Sequence, residues 1–330
     1  MRCFAKPVVV FSRCLGFEAC RYDGDVVIEP AVEALKLDVE ARPYCPELEI
    51  GLGVPRDPIR LVSSRGDLRL VQPTTGRDLT ESMRKAAASF LKPLDDVDGF
   101  VLKASSPSCG LRDAKVYAEP GSAEPLCRTS GIFAAAVLGR FRDLPIVSEK
   151  TLRRPAARRH VLTRLFAAAD FRAVRASGRR QELVRFHSEN KLLLFAHSEA
   201  NERAMGRLVA NLKGRPLEEI LADYERLLRD ALLRPARRGG HANALMHALG
   251  YFSRVLSRDE RAAFLARLDA YREGRGALGR ILAAMRDWIA RFEEPYLATQ
   301  TYFEPFPGGL MENVARVPDA SGRTGRSSSP

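Results

Sequence analysis

Up to residue 150 the chain alternates short β-like runs with helical ones, and beyond it every apolar pattern has helical spacing. This switch constrains the fold more than any other feature. It calls for an α/β layer with a largely parallel sheet, followed by an all-α region. Residues 7–12 (PVVVFS) form a Val-rich run of the kind buried in parallel sheets, and 99–104 (GFVLKA) form a second. Helical spacing covers 29–37, 78–93 and 132–141, with extended segments at 39–44 and 144–147. Residues 60–72 (RLVSSRGDLRLVQ) read as a hairpin turning at Arg65-Gly66-Asp67. Together these elements predict a three-layer, Rossmann-like α/β domain over 1–150.

From 151 onward, 154–177, 187–212, 216–233, 241–256, 258–273 and 276–294 carry apolar residues at helical spacing. Breaks are expected at Gly178, Gly214-Arg215-Pro216, Arg234-Pro235 and Gly239-Gly240. An all-helical domain over 151–317 follows. Residues 318–330 (PDASGRTGRSSSP) are polar and rich in Gly and Ser, the composition of a disordered tail. The longest apolar runs, near 131–138 and 161–169, are too short for a membrane span, and residues 1–10 are too short for a signal peptide. The expected location is cytoplasmic.

The charge is divided as unevenly as the structure. Residues 1–150 hold 21 Lys+Arg against 21 Asp+Glu, whereas 151–330 hold 32 against 20, so the second half carries the whole net charge of +12. A basic helical domain behind a neutral α/β domain points to a polyanion partner, nucleic acid first, with an Arg-rich composition as the plain alternative.

All six cysteines, at 3, 14, 20, 45, 109 and 127, lie in the first half, so thiolate chemistry belongs there. With no secretory signal and no dense framework, they are read as thiols or ligands rather than disulfides. Cys14 follows the first strand, Cys45 follows the extended 39–44 segment, and Cys109 follows the strand at 99–104. In a parallel sheet these strand ends share one edge, where ligands bind. Pro46, Pro107 and Gly110 fix or free the backbone beside the thiols. Spacing by itself leaves two readings, buried core thiols or ligands, because no Cys-x-x-Cys pair is present. Cys3, Cys20 and Cys127 lack such surroundings and read as structural or incidental.

SRCLGFEACRYDG (12–24), CPELEIGLGVPR (45–56) and LKASSPSCG (102–110) resemble, in order and spacing, the three motifs of the TudS-type thiouracil desulfidases. Arg13 and Cys20 depart from the usual first motif. FHSENKLLLFAHS (186–198), HALGYFSRVLS (247–257) and QTYFEPFPGGL (300–310) are similar to the helical domain fused behind such enzymes in the RudS-type tRNA thiouridine desulfidases. The resemblance implies a 4Fe–4S cluster held by Cys14, Cys45 and Cys109, with one iron left open. It also implies a non-redox exchange of sulfur for oxygen on thiouridine in tRNA, 4-thiouridine first, with no nicotinamide or flavin. Desulfuration of free 2-thiouracil or a thionucleoside, and RNA binding without catalysis by a protein with structural cysteines, are the alternatives.

Water attack on a thiocarbonyl needs a base, and the leaving sulfide takes up a proton. Glu47, two residues after Cys45, is the candidate proton carrier, with a helix N-terminal carboxylate as its structural alternative. Ser106, three residues before Cys109, is the candidate for orienting base or substrate, or else a turn residue before Pro107. In the second half Lys191, Arg203 and Arg207 are the candidate phosphate contacts, on one continuous helix. His187, Lys191, His197 and His247 do not have the spacing of a zinc site. Tyr251, Phe252, Tyr302 and Phe303 are candidates for base stacking, although core packing is the commoner use of such residues.

Overall fold

The computed structural model describes residues 3–64 and 66–312. The chain forms two compact units: Lys6–Val161 with the segment from Pro307, and Leu162–Phe306 with the first five residues. The segment 318–330, expected to be disordered, lies outside the described residues.

The α/β unit opens with β1 (Val8–Ser12), α1 (Pro30–Leu37), β2 (Glu40–Tyr44) and the one-turn α2 (Pro46–Glu49). The strands β3 (Arg60–Ser64), β4 (Asp67–Gln72) and β5 (Arg77–Asp78) precede α3 (Thr80–Leu91) and β6 (Gly99–Leu102). Then come β7 (Ala114–Tyr117), β8 (Pro125–Thr129), α4 (Ile132–Arg140), β9 (Ile146–Ser148) and α5 (Glu149–Leu152). The first sheet has the order β2-β1-β6-β9 and is parallel throughout. All five residues of β1 and all four of β6 are buried, as expected for strands covered on both faces. Helices α3 and α4 cover one side through Ala87, Leu91, Phe133, Ala134 and Val137.

A second, five-stranded sheet stands beside the first, in the order β5-β4-β3-β7-β8. It is mixed: β3 pairs antiparallel with β4 and parallel with β7. The hairpin at 60–72 is its centre, with Ser64 opposite Asp67; Arg65 itself lies outside the described residues. Its core packs Leu61, Leu70, Ala114 and Val116 against Leu79 and Met83.

The helical unit consists of most of α6 (Pro155–Ser177), then α7 (Arg180–His197), α8 (Glu199–Ala210), α9 (Leu217–Leu232) and α10 (Arg238–Gly250). It continues through α11 (Arg258–Arg272), α12 (Leu278–Arg291) and α13 (Pro295–Thr299), while α14 (Gly309–Glu312) belongs to the α/β unit. The stretch 187–212 is two helices rather than one. Ser198 ends α7 and caps α8, its side chain accepting from Asn201 N. Gly239-Gly240 does not break the chain but lies in the first turn of α10. A Cβ at Gly240 would stand 2.1 Å from Ala196 O, so glycine is what permits α10 to approach α7. Among the described residues no helix is long and apolar enough to cross a membrane.

Helix α7 joins two apolar cores, giving Leu192, Leu193 and Ala196 to one and Leu183, Phe186 and Leu194 to the other. Gln300 accepts from Leu192 N (3.1 Å) and donates to Ser188 O (2.8 Å), so one side chain bonds two groups of this helix four residues apart. Thr301 adds bonds to Glu189 O and to the Asn190 side chain, both partners on the same turn. Gln300→Ala would remove both bonds. It is expected to lower stability by about 1–3 kcal/mol, measurable by urea unfolding.

Candidate active site

The cysteine candidates come from three loops at the carboxyl edge of the parallel sheet. Strand pairing sets Ser12 opposite Tyr44, and Arg13 N bonds Tyr44 O at 2.9 Å, so the turns after β1 and β2 start side by side. Lys103 N, just past β6, donates to Ser12 Oγ at 2.9 Å and adds the third loop. The side chains of Cys14, Cys45, Cys109, Glu47 and Ser106 line one cavity of about 500 Å3.

The loop carrying Cys109 is held tightly. Ser105 has a φ of 61°, in the left-handed region, and the Asp113 carboxylate holds it there by accepting from its amide (2.9 Å) and hydroxyl (3.1 Å). Ser106 Oγ accepts from the amides of Ser108 and Cys109, both at 3.1 Å. The hydroxyls of Ser12 and Ser106 reach the Cys109 thiol, yet burial dominates and pushes that thiol well above the usual range. Gly131 lets the following helix approach, since a Cβ there would lie 2.4 Å from Ser108 O.

Glu47 occupies the first turn of α2, directly after the extended N-cap residue Cys45. Its carboxylate does not bond the helix amides. Arg56 donates to its Oε2 from Nε (3.1 Å) and Nη2 (2.5 Å), and Ser108 Oγ donates to Oε1 at 2.8 Å. The ion pair is nearly buried. Arg56 also donates to Cys20 O and Gly53 O, so one guanidinium gathers three segments. Sequence reasoning missed Arg56 and Ser108, although both lie within the quoted motifs. Ser108, rather than Ser106, touches Glu47.

Cys20, read from the sequence as structural or incidental, stands at the same site. It is 1% exposed and lines the same cavity as Cys14 and Cys45. The contact with Cys14 is the main cause that raises the Cys20 thiol to about 11, and the bond to Cys20, followed by burial, raises Cys45 further. Cys3 and Cys127 are exposed, and neither is among the residues lining the cavity.

The donor set fits an iron–sulfur cluster. Soft thiol sulfurs gather at one site, the ligand type such clusters use. Among the described residues no three His, Cys, Asp or Glu side chains converge on one point as ligands of a single metal ion would. The ligands of a polynuclear cluster each take a different iron and have no need to converge. A thiolate-bound cluster is anionic, and six cations (Arg13, Arg21, Arg56, Arg60, Lys103 and Lys115) line the cavity against the single carboxylate of Glu47. Lys103 is itself paired with the buried Glu149 at 3.0 Å. Arg60 donates to Pro120 O and Ser122 O and lies over the Tyr117 ring.

In the helical unit Lys191 stands on α7, while Arg203 and Arg207 stand on α8, all three exposed. Arg203 pairs with Glu199 on its own helix. Arg207 lines a cleft of about 370 Å3 with Asn211, Arg215, Asp223 and Arg226. His187 is a half-buried partner of Tyr224 (3.0 Å), its pKa lowered to about 4 by burial and then by Lys191. Phe252, Tyr302 and Phe303 are buried core residues, so stacking on bases is closed to them. Tyr251 is half exposed and stacks on Tyr296.

Fold and site therefore define a class: an α/β domain presenting a thiol-lined, cation-rimmed cavity at its sheet edge, joined in one chain to a helical domain. The comparisons with known proteins make the class specific. Residues 9–149 match the family model for 2-thiouracil desulfurase, and residues 191–307 match the model for a protein of unknown function (DUF1722). The uncharacterized protein YbgA of Escherichia coli (strain K12) is 32% identical over 148 residues, 44% of this chain and 88% of YbgA. The uncharacterized protein YbbK of Bacillus subtilis (strain 168) is 31% identical over 110 residues, 31% of this chain and 73% of YbbK. Among solved structures, the 4Fe–4S-dependent thiouracil desulfidase TudS is similar at 26% identity and a TM-score of 0.36, over 45% of this chain and 94% of that one. The chain belongs to the 2-thiouracil desulfurase family, with a DUF1722 region behind the desulfurase domain.

Proposed function

We propose that the protein is an iron–sulfur-dependent desulfidase that converts thiouridine in tRNA, 4-thiouridine first, to uridine with release of sulfide. The observation that carries this reading is the meeting of Cys14, Cys45, Cys109 and Glu47 in one cavity at the carboxyl edge of the parallel sheet. Cys14, Cys45 and Cys109 are the thiolate ligands. When bound, a 4Fe–4S cluster with one iron free of protein ligands supplies a soft Lewis acid for a thiocarbonyl sulfur.

The reaction balances without redox change: thiocarbonyl and water give carbonyl and hydrogen sulfide. Glu47 takes the proton of the attacking water on its carboxylate and returns it to the departing sulfide. Arg56 fixes one carboxylate oxygen, so the other faces Ser108 and the cavity. Ser106 is a positioning residue, holding the Ser108 and Cys109 amides and with them the thiol. The helical domain, which carries the excess positive charge, is the tRNA-binding part, through Lys191, Arg203 and Arg207.

The test is anaerobic sulfide release from tRNA containing 4-thiouridine and from free 2-thiouracil. Turnover of the free base alone would move the assignment to the small substrate. Three cations on phosphates give a salt slope of about −2 to −3, so a fourfold rise in salt should weaken tRNA binding roughly thirtyfold. Arg207→Ala should reduce that slope by about 1. A tRNA affinity indifferent to salt would leave the +12 as composition.

A further inference from the structure

The desulfidase reading uses three thiols, and the cavity holds four. Cys20 is more buried than Cys14 or Cys45 and lines the cavity with them. The loop presenting it is pinned on both sides. Val27 N bonds Cys14 O at 2.8 Å, Cys20 N bonds Glu18 O at 2.8 Å, and Arg56, the partner of Glu47, donates to Cys20 O at 3.1 Å. The backbone that places Cys20 is thus tied to the proposed proton carrier.

We propose that Cys20 is a fourth, exchangeable thiolate donor of the iron–sulfur site, ligating the open iron when no substrate is bound and yielding it to the substrate's sulfur. The inference rests on the cluster reading of the proposed function. A tethered thiol in the same cavity has a high effective concentration toward that iron. As a soft donor it outcompetes water, and a thiocarbonyl sulfur of the same softness can replace it. In the exchange one iron–sulfur bond breaks and another forms, with no electron transferred. The Cys20 thiolate leaves with the iron–sulfur electron pair and takes up a proton from solvent. The resting site is thereby closed to oxygen and to adventitious ligands, while the working site keeps its open position.

The experiment uses the full chain, reconstituted anaerobically with ferrous iron and sulfide, as parent, Cys20→Ala and Cys20→Ser. Iron and sulfide are counted first. Loss of one iron on admission of air, without substrate, is then followed by the electron paramagnetic resonance of the three-iron form. All three proteins are expected to load fully, with Cys20→Ala losing its iron at least about tenfold faster than the parent and Cys20→Ser close to Cys20→Ala. Equal rates of iron loss in parent and variants overturn the exchangeable ligand. Failure of both folded variants to load also overturns it, since Cys20 would then be a permanent ligand. A parent that takes up no iron and sulfide overturns the cluster reading itself, an outcome separate from the other two.

Discussion

Cys14→Ala, Cys45→Ala and Cys109→Ala are each expected to abolish iron and sulfide binding and turnover together. With one of these thiolates gone, its iron loses its protein ligand, and Cys20, an exchangeable donor to a different iron, does not take its place. Alanine in place of Cys109 also leaves a small void in the core formed by Val10, Tyr44 and Phe133, so lost folding must be separated from lost ligation. The serine variants do this, because they keep the volume and substitute a hard oxygen donor for a soft sulfur. Serine variants with a parental unfolding midpoint but no bound iron locate the effect in the ligand. Cys3→Ala and Cys127→Ala, at exposed positions outside the cavity lining, should leave iron, sulfide and turnover near the parental values. A Cys45→Ala protein holding its full complement of iron and sulfide would end the three-ligand assignment.

Much of the site was legible because the sheet edge organises it. The strands β1 and β6 are continuous apolar runs, so their carboxyl ends, and the cysteines beyond them, could be placed on one edge without coordinates. The second sheet was harder to read. Its outer strand β8 is exposed or half-exposed at every residue and shows no alternation, and β5 has only two residues. The division between α7 and α8 escaped because the apolar spacing runs on through Ser198, whose capping role is a polar signal. Gly239-Gly240 looked like a break because a pair of glycines says nothing about which backbone will press against it. Arg56 and Ser108 have roles set by partners 9 to 61 residues away, as in Arg56 with Glu47 and Ser108 with Glu47, and Cys20 by a cavity that three loops build, and local patterning carries no trace of such meetings.

Glu47→Gln is expected to keep the iron and sulfide yet lower sulfide release by about a hundredfold or more, the usual contribution of a general acid–base group. Geometry allows the substitution to be nearly silent for structure. The amide oxygen of Gln can accept from Arg56, and the Ser108 hydroxyl can turn to accept from the amide NH2, so both neighbours keep a partner. Charge is less forgiving. The Arg56 side chain is only 6% exposed, and its cation would then face a neutral group, at a cost of up to about 3–5 kcal/mol for a broken buried pair. A fall in rate could then arise from a loosened loop. The double variant Glu47→Gln, Arg56→Met separates the two causes, because it removes the stranded charge along with the proton carrier. It should recover much of the lost stability, read as the urea midpoint, while turnover stays down. Recovery of turnover with stability would assign Glu47 a structural role beside Arg56. A single Glu47→Gln variant within a few-fold of the parental rate would take it out of the chemistry altogether.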